Sequence, residues 1–401
     1  MASELNKTPS GSRVHIGFFG RRNAGKSSVV NAVTGQEISI VSDVKGTTTD
    51  PVTKAMELLP MGPVLIIDTP GIDDEGEVGE LRVRRTHKML NKCDVAVLVV
   101  DAALGKAEAD LTLEKLFLEK QIPYITVYNK SDITPIAALA DNEISVSAVT
   151  GENIDFLKKK IASLAVKPDD KRIIGDRISE RDVVVLVTPI DASAPKGRMI
   201  LPQVQTTRDI LDSHAICVTT QTSELERTLS CLKEKPRMVI TDSQVFGVVK
   251  NIVPEDVPLT SFSILMAAYK GILNGAVNGV LGIEKLRDGS RVLICEGCTH
   301  HRQCEDIGTV KFPAWLKKHT GIENLNFEFT SGGEFPDMLD KYDLIIHCGG
   351  CMLNEREVVY RAKCASDAGI PFTNYGTAIA YMNGILQRSL SPFPELQELL
   401  G

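Results

Sequence analysis

Between residues 14 and 166 the chain alternates short, almost uninterrupted apolar runs with longer amphipathic stretches. The runs fall at 14–19, 64–67, 95–100, 124–128 and 144–146. Strands that read as continuously apolar are buried on both faces, so this pattern predicts a parallel sheet covered by helices on both sides. The polar stretch 167–181, KPDDKRIIGDRISER, reads as a linker. A second alternation follows, with strands expected at 183–187, 215–218 and 238–241 and helices around 204–211, 223–232 and 244–251. This unit has no phosphate loop, and its plain reading is an interaction or dimerisation module. A third region opens with apolar helices. Its stretch 264–283 is the most apolar of the chain but is interrupted by Lys270, Asn274 and Asn278, so buried helices are expected rather than a membrane span. Strands at 291–295 and 343–347 and helices around 355–368 and 377–386 complete it. The expected fold class is α/β, with a short flexible arm at 1–12 and domains at 13–167, 168–260 and 261–401.

The first domain carries the clearest chemistry. Gly20-Arg-Arg-Asn23-Ala24-Gly25-Lys26-Ser27-Ser28 follows a strand and precedes a helical pattern, the context a phosphate loop requires. Its glycines let backbone N–H groups face phosphates at a helix N-terminus. Lys26 is expected to reach the β- and γ-phosphates, and Ser27 to bind Mg²⁺. Asp68-Thr-Pro-Gly71 ends the next apolar run, placing Asp68 to hold Mg²⁺ through water and the Gly71 N–H to sense the γ-phosphate. Asn129-Lys130-Ser131-Asp132 resembles the guanine-reading box, in which Asp132 accepts from two donors that adenine lacks, and Ser147-Ala148 resembles its supporting box. Between them, 45–50 (KGTTTD) resembles a first switch with Thr48 as a Mg²⁺ ligand. Four motifs in order, each at a strand end, point to a P-loop domain that binds GTP or GDP and hydrolyses GTP, with Lys26, Thr48 and Gly71 as its catalytic set.

Two details refine this. Ile72 follows the DTPG motif where Ras-like enzymes have a water-orienting glutamine, so that group must come from elsewhere. Asn23 with Gly46-Thr47-Thr48 resembles the tRNA-modifying GTPase and Era-like branch. The resemblance implies a K⁺ ion at Asn23 that neutralises transition-state charge, and hence slow, K⁺-stimulated hydrolysis. The plainer alternative is that Asn23 only caps the loop backbone.

Length and composition set the frame. The 401 residues suit two or three domains, 43% are hydrophobic and 24% charged, and the formal charge of −7 gives no global pull toward nucleic acid or an anionic membrane. Residues 1–12 lack the apolar core of a secretory signal, so a cytoplasmic location is expected. In a reducing compartment the nine cysteines are not expected to form structural disulfides. Six of them crowd into 295–364, which points to metal or redox chemistry.

There, Cys298-Thr-His300 is separated by the interval 301–346 from His347-Cys348-Gly-Gly-Cys351. The two glycines let the chain curl so that both thiolates face one ion or cluster. A zinc site with three Cys and one His, a redox CxxC pair and a [4Fe–4S] cluster with three Cys and one labile ligand all fit these residues. Placed behind a GTPase with a K⁺-type loop, the double motif resembles the HydF family, the GTPases of [FeFe]-hydrogenase maturation, over the whole chain. The resemblance implies a scaffold that carries its own [4Fe–4S] cluster on Cys298, Cys348 and Cys351 and dimerises through the middle domain. It would receive a di-iron precursor made with radical S-adenosylmethionine maturases and deliver it to the apo-hydrogenase, with GTP hydrolysis regulating partner exchange. His300 and His347 match the motif histidines, and either could be the fourth ligand or lie nearby. Glu305 and Asp306 are weaker oxygen candidates. One or both of Cys295 and Cys304, which flank the site outside the motif, read as core residues, and Cys93, Cys217, Cys231 and Cys364 read as packing. A GTP-dependent RNA, ribosome or tRNA-modification factor with a structural zinc, and a GTP-linked redox sensor, remain as rivals. No basic, aromatic-interleaved segment supports the former, and neither a nucleic-acid nor a membrane partner is expected.

Overall fold

The computed structural model describes residues 10–35, 52–69, 89–136, 139–165, 171–189, 199–297 and 307–398. The first switch with Thr48, Gly71 of the DTPG motif, and Cys298, His300, Cys304, Glu305 and Asp306 lie outside them. The chain divides into two units, Met1–Pro168 and Asp169–Gly401.

In the first unit, β1 (Val14–Phe19), α1 (Lys26–Thr34), β2 (Val52–Leu58), β3 (Gly62–Asp68), β4 (Val95–Asp101), α2 (Glu108–Glu119), β5 (Tyr124–Asn129), β6 (Glu143–Val146) and α3 (Ile154–Leu164) follow in order. The strands line up as β2-β3-β1-β4-β5-β6. All neighbours are parallel except β2, which runs antiparallel to β3. That edge strand escapes a search for continuous apolar runs because residues 53–57 alternate exposed with half-buried positions. Strand β4 is buried at every residue and shows how the layers form. Val95, Val97 and Val99 pack with Val29, Val33, Leu157 and Ile161 of α1 and α3. Ala96, Leu98 and Val100 pack on the opposite side with Leu113 and Phe117 of α2. From β1 the chain moves first toward β3 and then back across to β4, so a crevice opens at the C-terminal ends of β1 and β4.

The second unit contains two parallel sheets. The first comprises β7 (Val183–Val187), α4 (Leu201–Asp212), β8 (Ile216–Thr220), α5 (Leu225–Cys231), β9 (Met238–Thr241), α6 (Phe246–Ile252) and β10 (Leu259–Ser261), with strand order β10-β9-β7-β8. Helices α7 (Phe262–Tyr269) and α8 (Leu273–Gly279) hold the apolar stretch. No helix of the described residues is long and apolar enough to cross a membrane. The second sheet comprises β11 (Arg291–Glu296), α9 (Phe312–Thr320), β12 (Asn326–Ser331), β13 (Leu344–His347), α10 (Glu355–Asp367), β14 (Phe372–Asn374) and α11 (Tyr375–Met382), in the order β12-β11-β13-β14. Short helices α12 (Leu386–Ser389) and α13 (Pro394–Gln397) end it. A left-handed Gly384, φ 68°, separates α11 from α12, which explains why the single helix expected around 377–386 stops early.

Both sheets share one core. Val185, Phe246, Phe262, Leu265, Ile294, Ile345 and Leu390 belong to a single cluster of buried side chains. The boundary expected at 260/261 falls inside it, where Ser261 ends β10 and caps α7 by accepting from the Ile264 N–H at 3.3 Å. The second half of the expected linker is also built in. The N–H groups of Ile173, Ile174 and Gly175 converge on Asp209 Oδ2 at 3.1, 2.8 and 2.8 Å, and both isoleucines are buried.

Candidate nucleotide and thiolate sites

The loop leaving β1 holds three positive φ angles in quick succession: Gly20 at 140°, Asn23 at 62° and Gly25 at 86°. Gly25 has no room for anything larger, since a Cβ there would stand 2.2 Å from Asn129 Nδ2. At the start of α1, Lys26 Nζ donates to the Gly20 and Arg21 carbonyls at 3.0 and 2.9 Å, so the ammonium sits inside the loop where phosphate oxygens would compete for it. Ser28 is exposed on the first helical turn. Ser27 Oγ donates to Asp68 Oδ2 at 3.1 Å. Asp68 Oδ1 is buried with no hydrogen-bond partner, and burial raises this carboxyl while the Ser27 hydroxyl and Lys26 ammonium oppose the rise. A serine hydroxyl beside a half-buried carboxylate with a free oxygen is a hard-donor pair, and these residues fit Mg²⁺. Thr69 Oγ1 fixes the end of β3 by donating to the Phe18 carbonyl at 2.6 Å.

The base side is stitched to this loop by Asn129. Its Nδ2 donates to the Ala24 carbonyl and its Oδ1 accepts the Ala148 N–H, both at 3.2 Å. The backbone N–H of Ala148, in the supporting box, therefore has a protein partner here. Ser147 is buried, its Oγ accepting from Thr150 N–H at 3.1 Å and its N–H donating to the Glu152 carbonyl at 3.2 Å. Ser131 Oγ donates to Glu152 Oε2 at 2.9 Å, and Asp132, the next residue, is exposed. Lys130 reaches Asp101 Oδ2 at 2.5 Å and the Asn23 carbonyl at 3.2 Å. Sequence reading missed Asp101 and Glu152. Asp101 had a signal, since it ends a strand beside β1 at the point where the strand order reverses.

The second crevice is between β11 and β13, where the chain order of the second sheet reverses. Strand β11 runs out at Glu296 into Gly297, the residue before Cys298. Strand β13 runs out at His347 into Cys348, whose N–H extends the ladder to the Cys295 carbonyl at 2.9 Å. Cys348 Sγ accepts two backbone N–H groups, from Gly297 at 3.0 Å and Gly350 at 3.3 Å, and hydrogen bonds of this kind favour the thiolate. Gly350, φ 64°, makes the curl expected of the Gly-Gly pair. Burial raises the Cys351 thiol, against the opposing charge of Lys270. Lys270 is itself buried and donates to the Leu353 carbonyl at 2.8 Å. Soft sulfur donors, backbone N–H groups aimed at sulfur and a nearby buried cation suit a thiolate-held metal centre, so the residues present fit one. No group of three ligands gathers among the described residues, and Cys298 lies outside them.

His347 is fully buried and both ring nitrogens are engaged. Arg361 Nη1 donates to Nε2 at 3.3 Å, which leaves the proton on Nδ1 to be donated to the Cys348 carbonyl at 2.7 Å. Burial and the Arg361 charge hold the imidazole neutral, its pKa pushed down to about 3. The hydrogen-bonded role is the one these contacts describe, and the ligand role is left where the sequence put it. Arg361, also buried, is held by Glu357 Oε1 at 2.8 Å and donates to the Gly332 carbonyl at 2.8 Å. Nothing in the sequence singled it out. Cys295 is a core thiol pushed up to about 11 by burial, and Cys93 is likewise buried. Cys217 and Cys364 are half-buried, whereas Cys231, expected to pack, is exposed because α5 ends there.

The models of three families match this chain. The 50S ribosome-binding GTPase model covers residues 15–130. The hydrogen maturase F dimerization domain covers 173–271, and the hydrogen maturase F tetramerization domain covers 274–392. GTPase Der of Wolinella succinogenes is 37% identical over 175 residues, 39% of this chain and 37% of that protein. The tRNA modification GTPase MnmE of Legionella pneumophila is 40% identical over 162 residues, 39% of this chain and 36% of that protein. The chain thus spans little more than a third of the length of these curated relatives. A crystal structure of a probable GTP-binding protein engB is 26% identical with a TM-score of 0.32, covering 38% of this chain and 98% of that one.

Proposed function

The chain belongs to the hydrogen maturase F family, and from that premise we propose that it is a GTPase and iron–sulfur scaffold of [FeFe]-hydrogenase maturation. The observation that carries the scaffold reading is the Cys348 sulfur, poised at a strand-order switch point with two backbone N–H groups on it. Cys298, Cys348 and Cys351 would supply three thiolates to a [4Fe–4S] cluster, leaving one iron open to an exchangeable ligand. When bound, the cluster supplies a site where an external di-iron precursor can attach. The chain's own residues do the rest: Lys270 balances thiolate charge from within the core, and His347, held by Arg361, fixes the Cys348 carbonyl and hence the pitch of the CxxC loop.

At the other site Lys26 and the loop N–H groups would hold the β- and γ-phosphates, Ser27 and Thr48 would ligate Mg²⁺, and Asp68 would orient its water. Asp132 would read guanine. Asn23 would help bind K⁺. Thr48 and the Gly71 N–H would follow the γ-phosphate, so that hydrolysis changes docking with the radical S-adenosylmethionine maturases and the apo-hydrogenase. The dimerization and tetramerization models support self-association of residues 173–392. A cytoplasmic location completes the reading.

Anaerobic purification with iron, sulfide and zinc analysis tests it. About four irons and four sulfides per chain, with a reduced-cluster EPR signal lost in Cys348→Ala, is the expected outcome. One zinc and no iron would leave the GTPase standing and overturn the scaffold.

A further inference from the structure

Asp101 ends β4, across the switch-point crevice from the phosphate loop. Its carboxylate is divided between two tasks. Oδ1 accepts the Ala103 N–H at 2.9 Å, and Oδ2 takes Lys130 Nζ at 2.5 Å. The same Nζ donates to the Asn23 carbonyl at 3.2 Å. Asp101 is 8% exposed, whereas the Lys130 side chain is 37% exposed, so the aspartate is the fixed member of the pair. Lys130 leaves β5 with φ 71°, a backbone conformation that a non-glycine residue rarely adopts. Its ammonium is held at the end of a part-exposed side chain by this bridge and by the Asn23 carbonyl.

The segment after Asp101 grips the loop a second time. Arg21 Nη2 donates to the Gly105 carbonyl at 2.6 Å, and Arg21 Nε is 2.8 Å from Asp110 Oδ2. That same oxygen accepts the Ala107 N–H at 3.0 Å at the start of α2. Burial works to raise the Asp101 carboxyl, but the bonds from Lys130 and Ala103 and the charge of Arg21 outweigh it and hold the group below its usual range. Asp101 is thus an ionised anchor between two cations that both touch the phosphate loop.

We propose that Asp101 is a positioning residue for nucleotide binding: by fixing Lys130 against the Asn23 carbonyl, it couples the base-reading end of β5 to the phosphate loop. The inference rests on the nucleotide reading above and assigns that site a residue no motif includes. Guanine recognition and the grip on phosphates are then linked through this bridge as well as through Asn129.

In the full-length protein, Asp101→Asn keeps an oxygen for the Ala103 N–H and removes the charge. Titration with GDP in Mg²⁺ should show affinity lower by roughly tenfold, the size of one charge-assisted hydrogen bond. Lys130→Ala should lose at least as much. The double variant should fall no more than about twofold below the weaker single variant, since both act through one bridge. A generally structural role for Asp101 would give additive losses. Should Asp101→Asn fail to fold, the bridge is read from its other end. Lys130→Arg, which can still span Asp101 and the Asn23 carbonyl, should then stay within about threefold of wild type, and Lys130→Gln should lose roughly tenfold. Tight GDP binding by wild type with Asp101→Asn within twofold of it, additive losses in the double variant, or equal losses in Lys130→Arg and Lys130→Gln would overturn the inference alone. Absence of GDP binding by wild type would overturn the nucleotide reading beneath it.

Discussion

Gly25 shows how much one residue carries at the nucleotide site. Its φ of 86° lies in the left-handed region, and a methyl group there would meet Asn129 Nδ2 at 2.2 Å. Asn129 is the residue whose amide joins the phosphate loop to the Ala148 backbone. Gly25→Ala therefore adds backbone strain of about 1 kcal/mol and displaces two hydrogen bonds of about 1 kcal/mol each. The expected result is a loss of roughly a hundredfold in GDP affinity by calorimetry, with the fold intact by circular dichroism. An affinity within threefold of wild type would show that the loop can open without cost. Such residues are legible in a sequence because Gly25, Lys26 and Ser27 form one contiguous motif and announce one another. Asp101 and Arg361 do not. Asp101 meets Lys130, and Arg361 meets His347 and Gly332, across long intervals of chain, and no spacing rule anticipates either contact. The same limit separates Cys348, whose motif found it, from Lys270, which reaches the same loop from a helix whose apolar composition reads only as core.

At the scale of elements, strands with a run of apolar residues were readable, the half-wet edge strand β8 among them, whereas β2 and β12 were not. Strand β4 is buried throughout and its limits follow from the sequence VAVLVVD. β12, with the sequence NFEFTS, is an edge strand with no fully buried residue, and β2 is another edge with alternating exposure. Both carry too little apolar signal to compete with loop residues. The expected linker failed for a related reason. Its charges made KPDDKRIIGDRISER look solvated, but Ile173 and Ile174 enter the core and Asp209 of α4 collects three consecutive N–H groups. Removing that carboxylate leaves three donors without partners beside buried isoleucines. Asp209→Ala is expected to cost about 3 kcal/mol, at about 1 kcal/mol per orphaned donor. In a unit of this size that lowers the Tm by roughly 6–12 °C. Asp209→Asn, which keeps an acceptor oxygen, should lose less than half of that. Equal losses in the two variants would mean that shape rather than hydrogen bonding holds this segment.

For the whole molecule, the arrangement of cores decides what can be separated. The first unit has its own clusters on the two faces of its sheet, built from α1 and α3 on one side and α2 on the other. The second unit has a single cluster in which Val185 and Phe246 from the first of its sheets join Ile294 and Ile345 from the other. Sequence alternation alone suggested three domains, because each parallel sheet has its own rhythm and nothing local records that two of them share an interior. A cut after Pro168 should therefore leave residues 169–401 folded, monodisperse by size exclusion and able to take up iron and sulfide anaerobically without nucleotide. A cut after Thr260 would strip α7, with the buried Phe262, Ile264, Leu265 and Met266, of the partners it has in the first sheet. At about 1.5–3 kcal/mol for each large apolar side chain left exposed, that loss is comparable with the whole stability of a small domain. Residues 261–401 alone should aggregate or melt without cooperativity. A soluble 261–401 fragment with a sharp thermal transition would show instead that the thiolate-bearing sheet holds its own core, and that the shared interior is an interface rather than a requirement for folding.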